Sequence, residues 1–232
     1  MKCIYLSILL VSMICCISAF PVTEPIIGEK YGNPEYSIEL SGNRVASDVS
    51  IVCADSLSIY VEISKEVLLR IAKKQIVSIS PELPQNMDTF IYREYAESYD
   101  QWDSSSIRMI DLKPTCKYIV QAAINDIDSC GGVSVRIILR NLSKNRLKYA
   151  VYTVKYYNAV DDVLSSEISG NSSMRCKATG FIEPGTIDSG YWSGFYNTTA
   201  SYLKITAITL TYASNKQEIF QRNSASVQII EN

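Results

Sequence analysis

The sequence predicts a mainly β protein: an antiparallel two-sheet sandwich over residues 112–232, preceded by a small α+β unit over residues 20–100, with residues 101–111 as the link. Three observations carry this. Segments such as SIYVEI, VSVRIIL and LKYAVYTVKYY alternate apolar with polar residues and are rich in β-branched and aromatic side chains, the period-two pattern of half-buried strands. Turn-forming stretches, NLSKNR and NAVDDV among them, separate these segments at short intervals. No helical periodicity intervenes in the C-terminal half, which favours antiparallel layers over a parallel sheet.

The chain opens with Lys2, an apolar run over residues 4–17 broken only by Ser7 and Ser12, then Ser18 and Ala19. This is the layout of a secretory signal peptide, and cleavage is expected after Ala19. The run is shorter than the roughly 20 residues of a spanning helix, so an uncleaved anchor is the lesser alternative. Neither Cys15 nor Cys16 has the preceding residues that lipid attachment requires. Residues 20–36, FPVTEPIIGEKYGNPEY, hold three prolines and two glycines and read as an irregular lead-in.

Residues 58–63 read as a strand. Ser64 then offers an N-cap, Glu66 sits in the first turn, Val67, Leu68 and Ile71 follow at helical spacing, and Lys73 and Lys74 suit the C-terminal end of the dipole. The expectation is a short helix, with a second strand as the alternative. Residues 75–80 form the next strand, stopped by Pro81 and Pro84. The polar stretch that follows carries Tyr92, Tyr95, Tyr99 and Trp102, aromatics expected to seal the two units together rather than to form a binding strip.

In the C-terminal half, residues 117–124, 133–139 and 147–157 read as strands, and residues 164–168 as a short edge strand. Gly180 and Pro184-Gly185 mark a loop past Cys176. Residues 217–230 close the chain with one or two strands. Tyr191, Trp192, Phe195 and Tyr196 are expected in a connection leading into a strand, where their rings cap the open end of the core. The functional alternative is an exposed aromatic platform for carbohydrate or peptide, aided by Asn197 and Thr198.

The chain contains no histidine, which removes the Ser/His/Asp triad, the Cys/His dyad and the His-ligated metal at once. Paired carboxylates remain available for glycoside chemistry, Asp161 with Asp162 or Glu94 with Glu97, although adjacent acids on a strand point to opposite faces and the first pair reads as a solvated turn. Of seven cysteines, Cys53, Cys116, Cys130 and Cys176 stay with the mature chain. Their even number in an exported protein permits disulfides in any of three pairings, among which the sequence does not choose, although Cys116 with Cys130 would close a short loop across a hairpin; free buried thiols are the alternative. No CxxC spacing favours zinc. With 22 basic and 24 acidic residues the net charge is −2, which attracts neither nucleic acid nor an anionic membrane. No glycine-rich phosphate loop precedes a helix, and no cofactor is expected.

The series GGVSVRIILRNLSKNRLKYAVYTVKYYNAVDDV, TGFIEPG, YWSGFYNTT and LKITAITLTYASNKQEIF resembles bacterial exported immunoglobulin-like domains of the FxLYD type and related envelope sandwiches. In these a polar N-x-S turn leads to a strand ending in YN, and a Pro-Gly turn precedes a late strand. The likeness covers about 110 residues of the C-terminal half. Where members often have Y-x-D-G, this chain has Tyr212-Ala213-Ser214-Asn215, in which Asn215 can supply a turn residue with positive φ. The resemblance implies an immunoglobulin-like fold and no reaction. The function expected is that of an exported, noncatalytic binding or accessory protein of the cell envelope, periplasmic or surface-associated, recognising protein or glycan through a sheet edge or the aromatic loop. The rivals are a carboxylate-dependent enzyme acting on glycans, a structural spacer and, given the sequons at Asn141, Asn171 and Asn197, a host-facing decoy if the source is eukaryotic or viral.

Overall fold

The computed structural model describes residues 35–64, 67–83 and 108–231. The leader, the aromatic stretch from Tyr92 to Trp102 and the pair Glu94 and Glu97 lie outside the described residues. The described chain is mainly β, in four sheets that are antiparallel or mixed. Among the described residues, no helix is long and apolar enough to cross a membrane.

In the N-terminal unit, β1 (Tyr36–Leu40), β2 (Arg44–Val49) and β6 (Ile76–Ser80) form a sheet in the order β2-β1-β6. Strands β3 (Ile51–Ala54), β4 (Ser58–Ser64), β5 (Val67–Ala72) and β7 (Arg108–Asp111) form a second, in the order β3-β4-β5-β7. Ile38, Leu40, Val49, Ile59, Leu69 and Ile71 join in one core between them. The helix expected after Ser64 is instead β5, followed by a single 3-10 turn at Lys73–Gln75. The reason is burial: β5 lies inside its sheet, paired with β4 on one side and with β7 on the other. Val67, Leu68 and Leu69 are all buried, and three consecutive buried residues suit a strand covered on both faces better than one stripe of a helix. Residues 108–111, at the end of the expected link, are β7 and pair parallel with β5.

In the C-terminal unit, β8 (Tyr118–Ile127), β9 (Gly132–Asn141), β12 (Ile187–Tyr196) and β15 (Val227–Glu231) form one sheet, ordered β12-β9-β8-β15. Strands β10 (Leu147–Tyr157), β11 (Met174–Ile182), β13 (Tyr202–Tyr212) and β14 (Gln217–Gln221) form the other, ordered β11-β10-β13-β14. Their inner faces share a second core, to which β9 contributes Val133, Val135, Ile137 and Leu139, the alternating set visible in the sequence. Two expectations fail locally. Residues 164–168 are not a strand; Val163 makes one isolated bridge to Tyr157, and the Leu164 N–H bonds the Tyr156 carbonyl at 2.9 Å before the chain turns away. The loop expected past Cys176 begins only after Ile182, because Cys176, Ala178 and Ile182 are buried positions of β11.

The two units meet around a buried arginine. Arg44, 1% exposed, donates from Nε to the Ser41 carbonyl at 2.9 Å, from one terminal nitrogen to the carbonyls of Lys113 (3.2 Å) and Cys116 (3.1 Å), and from the other to Gln75 Oε1 at 3.2 Å. Gln75 in turn donates to the Leu112 carbonyl at 3.0 Å. The segment carried this way leads straight into β8. Arg140 of β9, also buried, reaches back to the Ser47 carbonyl at 2.9 Å. Backbone bonds from Val45 N to Leu142 O (2.8 Å) and from Ser47 N to Gly185 O (3.0 Å) complete the joint. Leu112, Cys116, Ile119, Leu142 and Ile230 extend the N-terminal core beneath it.

Removing the Arg44 side chain takes this donor from the Ser41 and Cys116 carbonyls and the Gln75 amide oxygen, while the Lys113 carbonyl keeps the Cys116 N–H at 3.0 Å. Arg44→Met is therefore expected to lower unfolding stability by about 3 kcal/mol, read as a fall in the urea midpoint. No comparable loss is expected at an exposed cation nearby: Lys74→Met, in the 3-10 turn beside Gln75, should change unfolding stability by less than about 0.5 kcal/mol.

Candidate functional site

The aromatic segment proves to be β12, an edge strand of its sheet, rather than a connection. Its register against β9 shifts between Trp192 and Phe195, so two residues three apart both turn inward. Phe195 is 1% exposed and stacks on Tyr156 with centroids 4.1 Å apart. Trp192 packs half-buried against the core, with its ring edge-on to Tyr152 at 6.0 Å and its indole N–H donating to the Lys177 carbonyl at 3.3 Å. It thereby ties β12 to β11 across the gap between the sheets. A Cβ on Gly190 would lie 2.4 Å from the Trp192 ring, so glycine there gives the indole its seat.

Tyr191 is 59% exposed, and the Arg136 guanidinium carbon lies 5.6 Å from its ring centroid. Tyr196 is half-buried, its N–H donating to Ser166 Oγ at 3.3 Å and its carbonyl accepting from Glu167 N at 2.8 Å. Asn197 is buried. Its Nδ2 donates to the Ser165 carbonyl at 3.2 Å, and its Oδ1 accepts from the Thr199 N–H (2.9 Å) and hydroxyl (2.7 Å). The five candidates thus do not converge on one surface; Tyr191 is the exposed one.

Asn141 repeats the Asn197 arrangement. Its Oδ1 accepts from the Ser143 N–H at 3.1 Å and hydroxyl at 2.7 Å, while Nδ2 donates to the Asn145 carbonyl at 2.9 Å. In both places the N-x-S/T pattern builds a turn in which the asparagine closes on the residue two positions ahead. Both amides are consumed by the fold, whereas Asn171 is exposed.

A cleft of 310 Å³ opens where the turn after β13 approaches the turn before β10, lined by Asn145, Arg146, Tyr212, Ala213, Ser214, Lys216 and Glu218. Asn215 has φ 63°, the turn residue expected of it. One carboxylate lines this cleft, and it is already engaged. Glu218 accepts from Lys216 Nζ at 2.6 Å and from the Tyr212 hydroxyl at 2.8 Å, and Tyr212 contacts the Tyr118 hydroxyl at 2.9 Å. Lys216 first, then Tyr212, holds the Glu218 carboxyl below its ordinary range, while burial raises the Tyr212 phenol. The other acid pair, Asp161 and Asp162, sits in the turn after β10, where Asp161 has φ 69° and accepts from the Tyr202 hydroxyl, and Asp162 accepts from Asn158 Nδ2 at 3.2 Å. Among the described residues no cluster of acids or cysteines could hold a metal.

Cys116, Cys130 and Cys176 are free thiols. Of the three pairings, the bridge between Cys116 and Cys130 does not form, because the ten residues of β8 run between them and place them at opposite ends of a strand roughly 30 Å long. Cys116 and Cys176 belong to different cores. The Cys53 side chain lies outside what is described. Burial pushes the Cys116 thiol up to about 11 and the Cys176 thiol up to about 12, away from nucleophilic chemistry.

A surface that strand alternation alone does not assemble lies on the outer face of the sheet β11-β10-β13-β14. Arg175 and Lys177 of β11, Lys155 of β10 and Lys204 of β13 all alternate with core residues and point away from the core. Tyr157 and Tyr202 pair across the strands there, stacked with centroids 5.2 Å apart, and Lys204 Nζ stands 4.4 Å from the Tyr157 centroid. Lys177 Nζ stands 4.5 Å from the Tyr149 centroid.

Native protein treated with iodoacetamide near pH 8 should be alkylated at Cys130 and protected at Cys116 and Cys176, with peptide mapping by mass spectrometry as the check; a recovered Cys116–Cys130 disulfide would contradict the strand geometry. Glu218 gives an acid-side expectation. Because its folded-state pKa is depressed, its stabilisation is complete above the ordinary carboxylate value and is lost as pH falls through the lower native one. Thermal midpoints of the parent and Glu218→Gln should therefore converge between about pH 5 and pH 2, the parent losing the advantage it holds at neutral pH.

No family model matches the chain, and no curated protein does. Among solved structures, the chain overlaps a GH20 exo β-N-acetylglucosaminidase from Vibrio harveyi in complex with N-acetylglucosamine at 15% identity and a TM-score of 0.30, covering 49% of this chain and 18% of that enzyme. It overlaps the structural-genomics target SoR45 at 14% identity and a TM-score of 0.31, over 47% of this chain and 83% of that one. The sporulation control protein Spo0M of Bacillus subtilis gives 9% identity and a TM-score of 0.24 over 49% of each chain. At these scores the overlaps identify neither a fold nor a function.

Proposed function

We propose that the chain is an exported, noncatalytic recognition protein whose C-terminal unit is an immunoglobulin-like sandwich presenting β12 to a protein or glycan partner. The observation that carries this reading is the identity of β12: the aromatic segment and the sheet edge are one element, and it displays Tyr191 beside Arg136. An edge strand offers backbone groups for strand addition, and an exposed tyrosine with a neighbouring guanidinium is a common anchor pair at interfaces.

The immunoglobulin-like reading is supported by the partition of strands. Strands β8, β9 and β12 lie in one layer, and β10 and β13 in the other with β11 and β14 outside them, the arrangement produced when the first, second and fifth strands oppose the third and sixth. The glycan-active enzyme loses support because the single acid lining the cleft is shared between Lys216 and Tyr212. The host-facing alternative loses support because the asparagines of two of its three sequons are hydrogen-bonded into turns.

The test is a peptide and glycan array probed with the mature protein. Tyr191→Ala and Arg136→Ala should each reduce the signal about tenfold or more while leaving the thermal midpoint unchanged. Turnover of any arrayed glycan that is abolished by Glu218→Gln would falsify the noncatalytic reading.

A further inference from the structure

The outer face of the sheet β11-β10-β13-β14 concentrates positive charge that nothing on it neutralises. Lys155, Arg175, Lys177 and Lys204 make no ion pair among the described residues, although the chain as a whole carries a net charge of −2. The outward positions of β10, β11 and β13 hold aromatic, aliphatic, hydroxyl and basic side chains but no acid; Asp161, bonded to Tyr202, bounds the face at one end. Lys155 and Lys204 are direct cross-strand partners. Like charges placed opposite one another oppose folding, and the arrangement is relieved when an anion sits over both.

Tyrosines seat two of these cations, Lys177 and Lys204, rather than offering their own faces. Lys204 stands over Tyr157 and, at 5.1 Å, over Tyr202; Lys177 and Lys148 both stand over Tyr149, at 4.5 and 5.4 Å. Ammonium groups held over rings have less freedom to lose on binding. Rings occupied in this way are poor platforms for stacked bases, which argues against single-stranded nucleic acid. Lys155 lies opposite Lys204, Arg175 opposite Thr153 and Lys177 opposite Val151, so the four cations form a diagonal grid across three strands about 4.8 Å apart, a path that an extended polyanion can follow.

We propose that this face binds an acidic polysaccharide, a chain of uronic-acid or sulfated sugars, through Lys155, Arg175, Lys177 and Lys204. The site is on the sheet opposite β12 and does not depend on the β12 reading.

The test uses the mature protein with heparin and polygalacturonate as probes, by calorimetry at low and rising salt. Lys155→Gln/Lys204→Gln and Arg175→Gln/Lys177→Gln should each weaken binding about tenfold or more and lower the slope of log K against log salt by about two, since counterion release scales with the cations engaged. A control, Lys74→Gln/Lys144→Gln, should bind as the parent does, and so should Tyr191→Ala, which separates this site from the β12 edge. The six basic positions are partly or wholly exposed, so unchanged thermal midpoints are expected and show that the variants fold. Three results overturn the proposal: no binding of either polysaccharide at low salt, double variants that bind like the parent, or equal affinity for single-stranded DNA or for phosphatidylserine vesicles.

Discussion

The joint between the units depends on a guanidinium buried without a carboxylate. Arg44 meets carbonyl groups and one amide oxygen, and burial lowers its pKa from the usual guanidinium value without neutralising it at ordinary pH. A positive charge held this way is satisfied only when several elements arrive together: the turn before β2, the 3-10 turn at Lys73–Gln75, and the segment entering β8. The donor geometry of this side chain thus helps to set the position of the C-terminal unit against the N-terminal one, together with the backbone bonds at Val45 and Ser47. Arg140, lowered by burial to about 10, applies the same constraint from the other side, so the joint tolerates little sliding.

How much of this was legible in the sequence depends on whether burial is one-sided. Strand β9 could be read directly because Val133, Val135, Ile137 and Leu139 face one core while Ser134 and Arg136 face away. Strand β10 was legible over its whole length for the same reason. Strand β5 was not, since it is buried on both faces, and its run of apolar residues matched a helical spacing as well as an extended one. Strand β12 was hidden differently. Two glycines, two serines and a bulge break its alternation, and those irregular residues are what allow Trp192 and Phe195 to face the same core.

The candidate surfaces show a similar division. Aromatic residues could be picked out from the sequence but not sorted, because whether a ring fills a core or faces water depends on the register of its strand. The cations of the outer sheet each occupy an ordinary alternate position, and only the pairing of β10 with β11 and β13 brings them onto one grid. Two of the sequons have a second chemical use: an asparagine two residues before a hydroxyl is equally suited to closing a turn, as Asn141 and Asn197 do.

Strand β15 pairs in parallel with β8 over five residue pairs, joining the last strand of the C-terminal unit to its first. Tension applied between the entry to β8 and the exit from β15 would run along both strands in opposite senses, loading their hydrogen bonds in shear. Bonds loaded that way must yield together rather than unzip one at a time. The C-terminal unit is therefore built to resist being pulled along its length, a mechanical property that follows from the direction of one short strand.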